Sequence, residues 1–278
     1  MKWEHAQSEK KGMRRGIYIL PSLFTTAGLF SGFYAIIVSI QGKYEAASIA
    51  IIIAGVLDAL DGRIARLTRT NSHFGIEYDS LSDLVAFGVA PAVLAFQWAL
   101  RPFGRLGWVA ASMYVICGAL RLARFNVQKG VEDPNYFKGL PIPVAAFFVA
   151  SGFLFTSSFG DFSRGIPLLA IILIYILSFL MVSRIRYYSF KKFDIRERKP
   201  FSVFVSIVLA GIFIAYKPRI MLFPIVLFYV VSGPGRTLFK LSARRYRARR
   251  PTPGTGMETH SGDGSGRDQK GGEKAQPR

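Results

Sequence analysis

Residues 58–83 read DALDGRIARLTRTNSHFGIEYDSLSD, and this stretch decides how the rest of the chain is read. Four aspartates, Asp58, Asp61, Asp79 and Asp83, stand in it with Gly62, Ala65, Arg66 and Gly75 between them. The flanks are what make it unusual, because residues 46–57 and 84–100 carry no charge. Ionisable residues at the edge of an apolar span are costly and point to function by default. At about 100° per residue, Asp58, Asp61, Gly62 and Ala65 share one side of a helix. Asp79 and Asp83 lie one turn apart, with Gly75 a turn earlier on the same side. Two helices therefore present paired carboxylates and small residues to one space. Carboxylates so placed repel one another unless cations neutralise them. An oxygen-only donor set without His or Cys suits hard divalent ions, Mg²⁺ or Mn²⁺. The glycines and Ala65 leave room for a phosphate to approach the backbone, and Arg66 has the fork geometry to hold its oxygens. Acids merely solvated or paired with Arg63, Arg66 and Arg69 are the competing reading. Four acids on two faces, interleaved with small residues, weigh against it.

Working outward, the chain alternates apolar runs with basic connections. Half of its 278 residues are apolar (51%), which is too many for an ordinary soluble domain. Residues 17–40 are uncharged and long enough to span a bilayer. Further apolar runs cover 46–57, 84–100, 106–120, 140–160, 165–183, 201–216 and 220–235. The expected fold is an all-α integral membrane protein with about eight transmembrane helices. Residues 1–16 form a basic N-terminus rather than a cleavable signal, 17–240 the membrane domain, and 241–278 a basic and then disordered tail. The segment 187–199 mixes aromatics with Lys and Arg, fitting either an interfacial helix or a solvated loop.

Charge sets the expected orientation. With eight spans, only six of the 36 Lys and Arg residues fall on one side: Lys43, Arg101, Arg105, Arg164, Lys217 and Arg219. The crowded side is then cytoplasmic, and the aspartates open toward it at the ends of the second and third helices. The net charge of +19 is spread between spans rather than over one compact domain. That excludes nucleic acid as the natural partner and favours anionic membrane lipids and phosphate-bearing substrates. The single cysteine, Cys117, lies in an apolar run, so neither a disulfide framework nor a cysteine metal site is available.

The spacing D-x2-D-G-x2-A-R-x8-G-x3-D-x3-D resembles, without a gap, the signature of the CDP-alcohol phosphatidyltransferase family. Farther on, Arg121-Leu122-Ala123-Arg124-Phe125-Asn126 is followed by Gly139-Leu140-Pro141-Ile142-Pro143. That pairing is similar to the phosphatidylserine synthase branch. The resemblance implies transfer of the phosphatidyl group of CDP-diacylglycerol to the hydroxyl of L-serine, with CMP released. It implies two divalent ions, Mg²⁺ or Mn²⁺, on Asp58, Asp61, Asp79 and Asp83, with Asp83 also accepting the proton of the attacking hydroxyl. The CDP-lipid would lie against Gly62, Ala65, Arg66, Ser72 and Gly75. Ser22 and Thr25 of the first span would join it, although Ser22 stands where the family has Asn. Arg121, Arg124 and Asn126 would hold the acceptor or a lipid phosphate, and a homodimer in the cytoplasmic membrane is expected. Glycerol 3-phosphate or an inositol phosphate as acceptor remains open. So, from other classes, do a cation transporter and a scaffold for anionic lipids.

Overall fold

A computed structural model describes residues 22–68, 73–128, 136–159, 165–188 and 217–248. The seventh predicted span, 201–216, most of the segment 187–199 and the tail beyond 248 lie outside the described residues. Two compact units divide the chain, Met1–Phe239 and Lys240–Arg278. In the first, helix α1 (Ser22–Ile40) is followed by α2 (Tyr44–Thr68) and α3 (His73–Phe103). After these come α4 (Arg105–Gln128), α5 (Ile142–Ser157), α6 (Ile166–Val182) and α7 (Pro218–Ala248), whose last turns carry into the second unit.

Among the described residues, four stretches are long and apolar enough to cross a membrane: Ser22–Ile40, His73–Phe103, Arg105–Gln128 and Pro218–Arg236. α5 and Pro167–Val182 of α6 are apolar but shorter. Large apolar side chains such as Phe30, Phe33, Ile53, Phe179 and Phe228 face outward. An exterior of that kind suits hydrocarbon rather than water, and the protein is a membrane protein.

Three helices frame the acidic stretch. Gly42, at φ +79°, reverses the chain between α1 and α2, and Lys43 N–H donates to Val38 O at 2.9 Å. A Cβ at Gly42 would meet nothing, so glycine is needed there for its dihedral rather than for room. Tyr44 at the start of α2 donates to Gln97 O near the far end of α3 at 3.0 Å. The opposite ends of α2 and α3 bring the aspartates together, so the two helices run antiparallel. α1 closes on both through small residues. Ser31 donates to Ala50 O at 2.8 Å, and a Cβ on Gly32 would lie 2.6 Å from Ala86 Cα. Gly55 of α2 likewise receives the Phe147 ring of α5. Close approach at small residues is how helices associate where lipid competes equally for apolar surface.

α3 is continuous but not uniform. It is α-helical over His73–Asp83, takes π turns at Leu84–Val89 and Phe96–Leu100, and ends in a 3₁₀ turn at Arg101–Phe103. Pro91 explains the first π turn. It has no N–H to offer the carbonyl of Phe87, and its ring would crowd that carbonyl in a regular helix. The fully buried Tyr114 of α4 supplies the missing donor, its hydroxyl lying 3.3 Å from Phe87 O.

The protein is all-helical, with one short strand pair in its connections. Strands β1 (Tyr136–Lys138) and β2 (Arg186–Tyr188) form a short antiparallel pair, with Phe137 opposite Tyr187. The connections after α4 and α6 both emerge beside Gly139, at φ +81°, where a Cβ would run into Met181 O. Gly139 N–H donates to Ile185 O at 2.8 Å and Leu140 N–H to Leu180 O at 3.0 Å. These bonds seat α5 against the end of α6. Cys117 is buried and unbonded.

Candidate active site

α2 contributes Asp58 and Asp61, one turn apart, and the first, α-helical part of α3 contributes Asp79 and Asp83. Carboxylate oxygens of Asp58, Asp61 and Asp79 all lie within 4.8 Å of one another. Asp83 faces the same cavity and is within electrostatic reach of the other three. The cavity, of about 10 Å³, is walled by Thr25, Ser82 and the four acids and closed by Gly28, Ala54, Ala86 and Phe87. Its size suits ions or single waters rather than an organic ligand.

The site is held by hydroxyls. Thr25 of α1 donates to Asp61 Oδ2 at 2.8 Å, fixing a carboxylate that is only 5% exposed. Ser82 donates to Thr25 O at 3.1 Å, and Thr26 and Tyr78 hydroxyls meet at 2.9 Å, tying α1 to α3. α4 reaches the same helix through Asn126, whose Nδ2 donates to Ser80 Oγ at 2.8 Å.

Magnitudes decide what such a cluster requires. Taking a carboxylate out of water costs several kcal/mol after relaxation, against a total stability of about 5–15 kcal/mol. Three or four like charges together are therefore untenable without a counterion. Oxygens around one hard divalent ion at about 2.1 Å from it lie roughly 3–4 Å apart. The separation within 4.8 Å thus fits after small side-chain adjustments, and the donor set is oxygen throughout. The residues present fit a divalent cation.

The remaining predicted residues distribute as follows. Gly62 is half-buried, and a Cβ on it would meet open space, so room is kept beside Asp61. Ala65 and Arg66 continue α2 toward its end, and Gly75 sits in the first turn of α3. Ser22 lies in the first turn of α1, its carbonyl accepting from Thr26 Oγ1 at 2.7 Å. Ser72 lies outside the described residues. Arg121 is buried in α4, within electrostatic reach of Asp83, and its guanidinium lies 5.8 Å from the Phe125 ring centroid. Arg124 points elsewhere. It donates to Val182 O at 3.0 Å, Lys138 O at 2.7 Å and Ser183 O at 3.4 Å, bracing the strand pair and the end of α6. The sequence reading missed Ser82 and Tyr78. Ser82 had a signal, since it lies three residues after Asp79 on the same helix; Tyr78 had none.

This arrangement can be set beside known proteins. The profile of the CDP-alcohol phosphatidyltransferase family matches residues 18–183, which include all four aspartates and Arg121. The chain belongs to that family. This phosphatidyltransferase is 38% identical over 223 residues to a Helicobacter pylori protein named CDP-diacylglycerol–serine O-phosphatidyltransferase, covering 80% of this chain and 92% of that one. It is 32% identical over 243 residues to a Mycobacterium leprae protein of the same name, covering 84% and 78%. An archaetidylserine synthase of Methanothermobacter thermautotrophicus is 41% identical over 170 residues, covering 60% of this phosphatidyltransferase and 69% of that protein.

Because Thr25 donates to Asp61 Oδ2, Thr25→Val should raise the Mn²⁺ concentration needed for half-maximal activity about 10-fold, in the range for lost outer partners of metal ligands. Titrating activity against Mn²⁺ checks this. An unchanged requirement would mean that Asp61 needs no such support.

Proposed function

We propose that the chain transfers the phosphatidyl group of CDP-diacylglycerol to the hydroxyl of L-serine, giving phosphatidylserine and CMP. The convergence of Asp58, Asp61 and Asp79, with Asp83 beside them, carries the chemistry. The acceptor is supported by the names of the relatives, which share serine although the lipid differs in the archaeal one.

The serine oxygen attacks the β-phosphorus of the pyrophosphate in line. A bond forms from that oxygen to phosphorus, the bridging bond to CMP breaks, and the electron pair leaves with CMP. Asp83 takes the hydroxyl proton. When bound at Asp58, Asp61, Asp79 and Asp83, two divalent ions, Mg²⁺ or Mn²⁺, supply the positive charge that offsets charge building on the phosphate oxygens. Gly62, Ala65 and Gly75 leave space along the backbone for the CDP-lipid, and Arg66 and Ser72 hold its phosphates, with Ser22 and Thr25 at its other edge. Arg121 holds an anionic group of the acceptor or the lipid phosphate, Asn126 keeps α4 against α3, and Arg124 supports that face through its carbonyl contacts.

The same reading places eight spans within 17–240, the acids at the cytoplasmic ends of the second and third, and a basic tail over 241–278 that meets anionic lipid. It assigns the chain to the cytoplasmic membrane as a homodimer. A site at the membrane edge lets the acyl chains stay in the leaflet while serine and CMP exchange with water.

An acceptor screen scored by CMP formation tests the assignment. Purified protein with CDP-diacylglycerol and Mn²⁺ is expected to release CMP with L-serine and not with glycerol 3-phosphate or inositol phosphate. Release driven by a phosphorylated alcohol instead would overturn the acceptor. No release with any alcohol would favour a transporter.

A further inference from the structure

Five serines are buried among the described residues: Ser39, Ser48, Ser82, Ser151 and Ser178. Four of them satisfy their hydroxyls locally. Ser39 donates to Ala35 O, Ser48 to Tyr44 O, Ser151 to Phe147 O and Ser178 to Ile174 O, each to the carbonyl one turn back in its own helix. That is the ordinary way to bury a hydroxyl in an apolar helix. Ser82 does otherwise. It crosses to α1 and donates to Thr25 O at 3.1 Å.

The residue it reaches is the one that holds Asp61. Thr25 accepts the Ser82 proton on its carbonyl and gives its own hydroxyl proton to Asp61 Oδ2 at 2.8 Å. Both residues line the cavity of the four acids. The two bonds thus run from α3 through α1 to α2, so the helices that carry the aspartates are joined through one that carries no acid.

On α3 this seating forms a stripe. Tyr78 and Ser82 are four positions apart, as Asp79 and Asp83 are, so hydroxyls and carboxylates occupy adjoining rows of the helix. The Tyr78 hydroxyl meets Thr26 Oγ1 at 2.9 Å, and Thr26 spends its own proton on Ser22 O at 2.7 Å, so Tyr78 is the donor. A turn beyond Ser82, a Cβ on Gly32 of α1 would lie 2.6 Å from Ala86 Cα, so the two backbones stay close. One row rests on α1 and thereby fixes where the other row points. Such a fixture is needed, because the carboxylates of α2 and α3 repel one another until cations neutralise them.

We propose that Ser82 is a positioning residue for the divalent-ion site, tethering the acids of α3 to those of α2 through Thr25. The inference rests on the metal reading proposed above. It adds that α1, which supplies no carboxylate, sets the affinity for the ion.

The test is equilibrium Mn²⁺ binding to the purified full-length protein, read by electron paramagnetic resonance. It compares wild type with Ser82→Ala, Thr25→Val, their double variant and Ser39→Ala. Ser39→Ala removes a buried hydroxyl whose bond stays within α1, so it reports the general cost of losing one. Ser82→Ala is expected to raise the Mn²⁺ Kd about 10-fold, at the low end for lost outer partners of metal ligands, and Ser39→Ala to leave it unchanged. Ser82→Cys, which keeps the volume and weakens the donor, should raise it less and serves where the alanine variant does not fold. Because Ser82 and Thr25 are links of one chain, the double variant should bind within about twofold of Thr25→Val alone. An unchanged Kd in Ser82→Ala overturns the tether. Equal weakening by Ser82→Ala and Ser39→Ala does the same, since it marks a general loss of packing, and so does a double variant in which the two losses multiply. If the wild type itself binds no Mn²⁺, the metal reading falls and the tether with it, which tells the two failures apart.

Discussion

Replacing Asp83 with asparagine is expected to lower turnover about 1,000-fold, within the range for a lost general base, while CDP-diacylglycerol binding stays within a few-fold of wild type. Asparagine keeps the shape and removes the charge, so the wall formed with Ala86 and Phe87 survives. Asp58, Asp61 and Asp79, mutually within 4.8 Å, remain to hold cation and pyrophosphate. What is lost is the acceptor for the hydroxyl proton. A carboxylate is ordinarily a weak base, so the location of Asp83 matters more than its basicity. Single-turnover CMP release together with lipid-analogue binding separates the two functions. Lost binding with normal turnover per bound lipid would remove Asp83 from the proton-accepting role.

Asp79→Asn is expected to fail differently and more completely. Asp79 belongs to the three-carboxylate group and lies within electrostatic reach of both Asp58 and Asp83, so it links the two helical pairs. Its neutralisation should reduce CMP formation at least 1,000-fold, equivalent to about 4 kcal/mol of lost transition-state stabilisation. Binding of the CDP-lipid should fall with it, because Asp79 belongs to the carboxylate group proposed to gather cations opposite the pyrophosphate. A variant that keeps lipid binding and loses only turnover would make Asp79 a second proton-handling group. Full activity would show that the chemistry does not need Asp79, whereas unchanged lipid binding by a protein that forms no CMP would support a lipid-binding scaffold.

The parts legible in the sequence were those with local periodicity. Aspartates three or four residues apart in an apolar setting declare a shared helical face, and α2 and α3 carry them so. Other features arise from contacts between distant residues. Thr25 and Asp61 are 36 positions apart, and no local pattern pairs them. Arg121 and Arg124 read alike as basic residues on one helical face. Yet Arg124 donates to carbonyls at the end of α6, while Arg121 is buried within electrostatic reach of Asp83. The choice between them depends on where α6 ends and β1 begins. The strand pair was illegible for the same reason, since two three-residue segments gain strand character only from each other. Pro91 announced an irregularity in α3, but the donor that compensates for it, Tyr114, lies on another helix.

In the proposed mechanism, carboxylates from two neighbouring helices converge on hard divalent cations that grip a lipid pyrophosphate. Equilibrium binding of Mn²⁺, read by electron paramagnetic resonance with CDP-diacylglycerol present, tests it most directly. Wild-type protein is expected to bind two ions per chain, and Asp79→Asn to lose that binding while remaining folded. Undiminished Mn²⁺ binding by the variant, or full activity of chelator-stripped wild type without added metal, would contradict it.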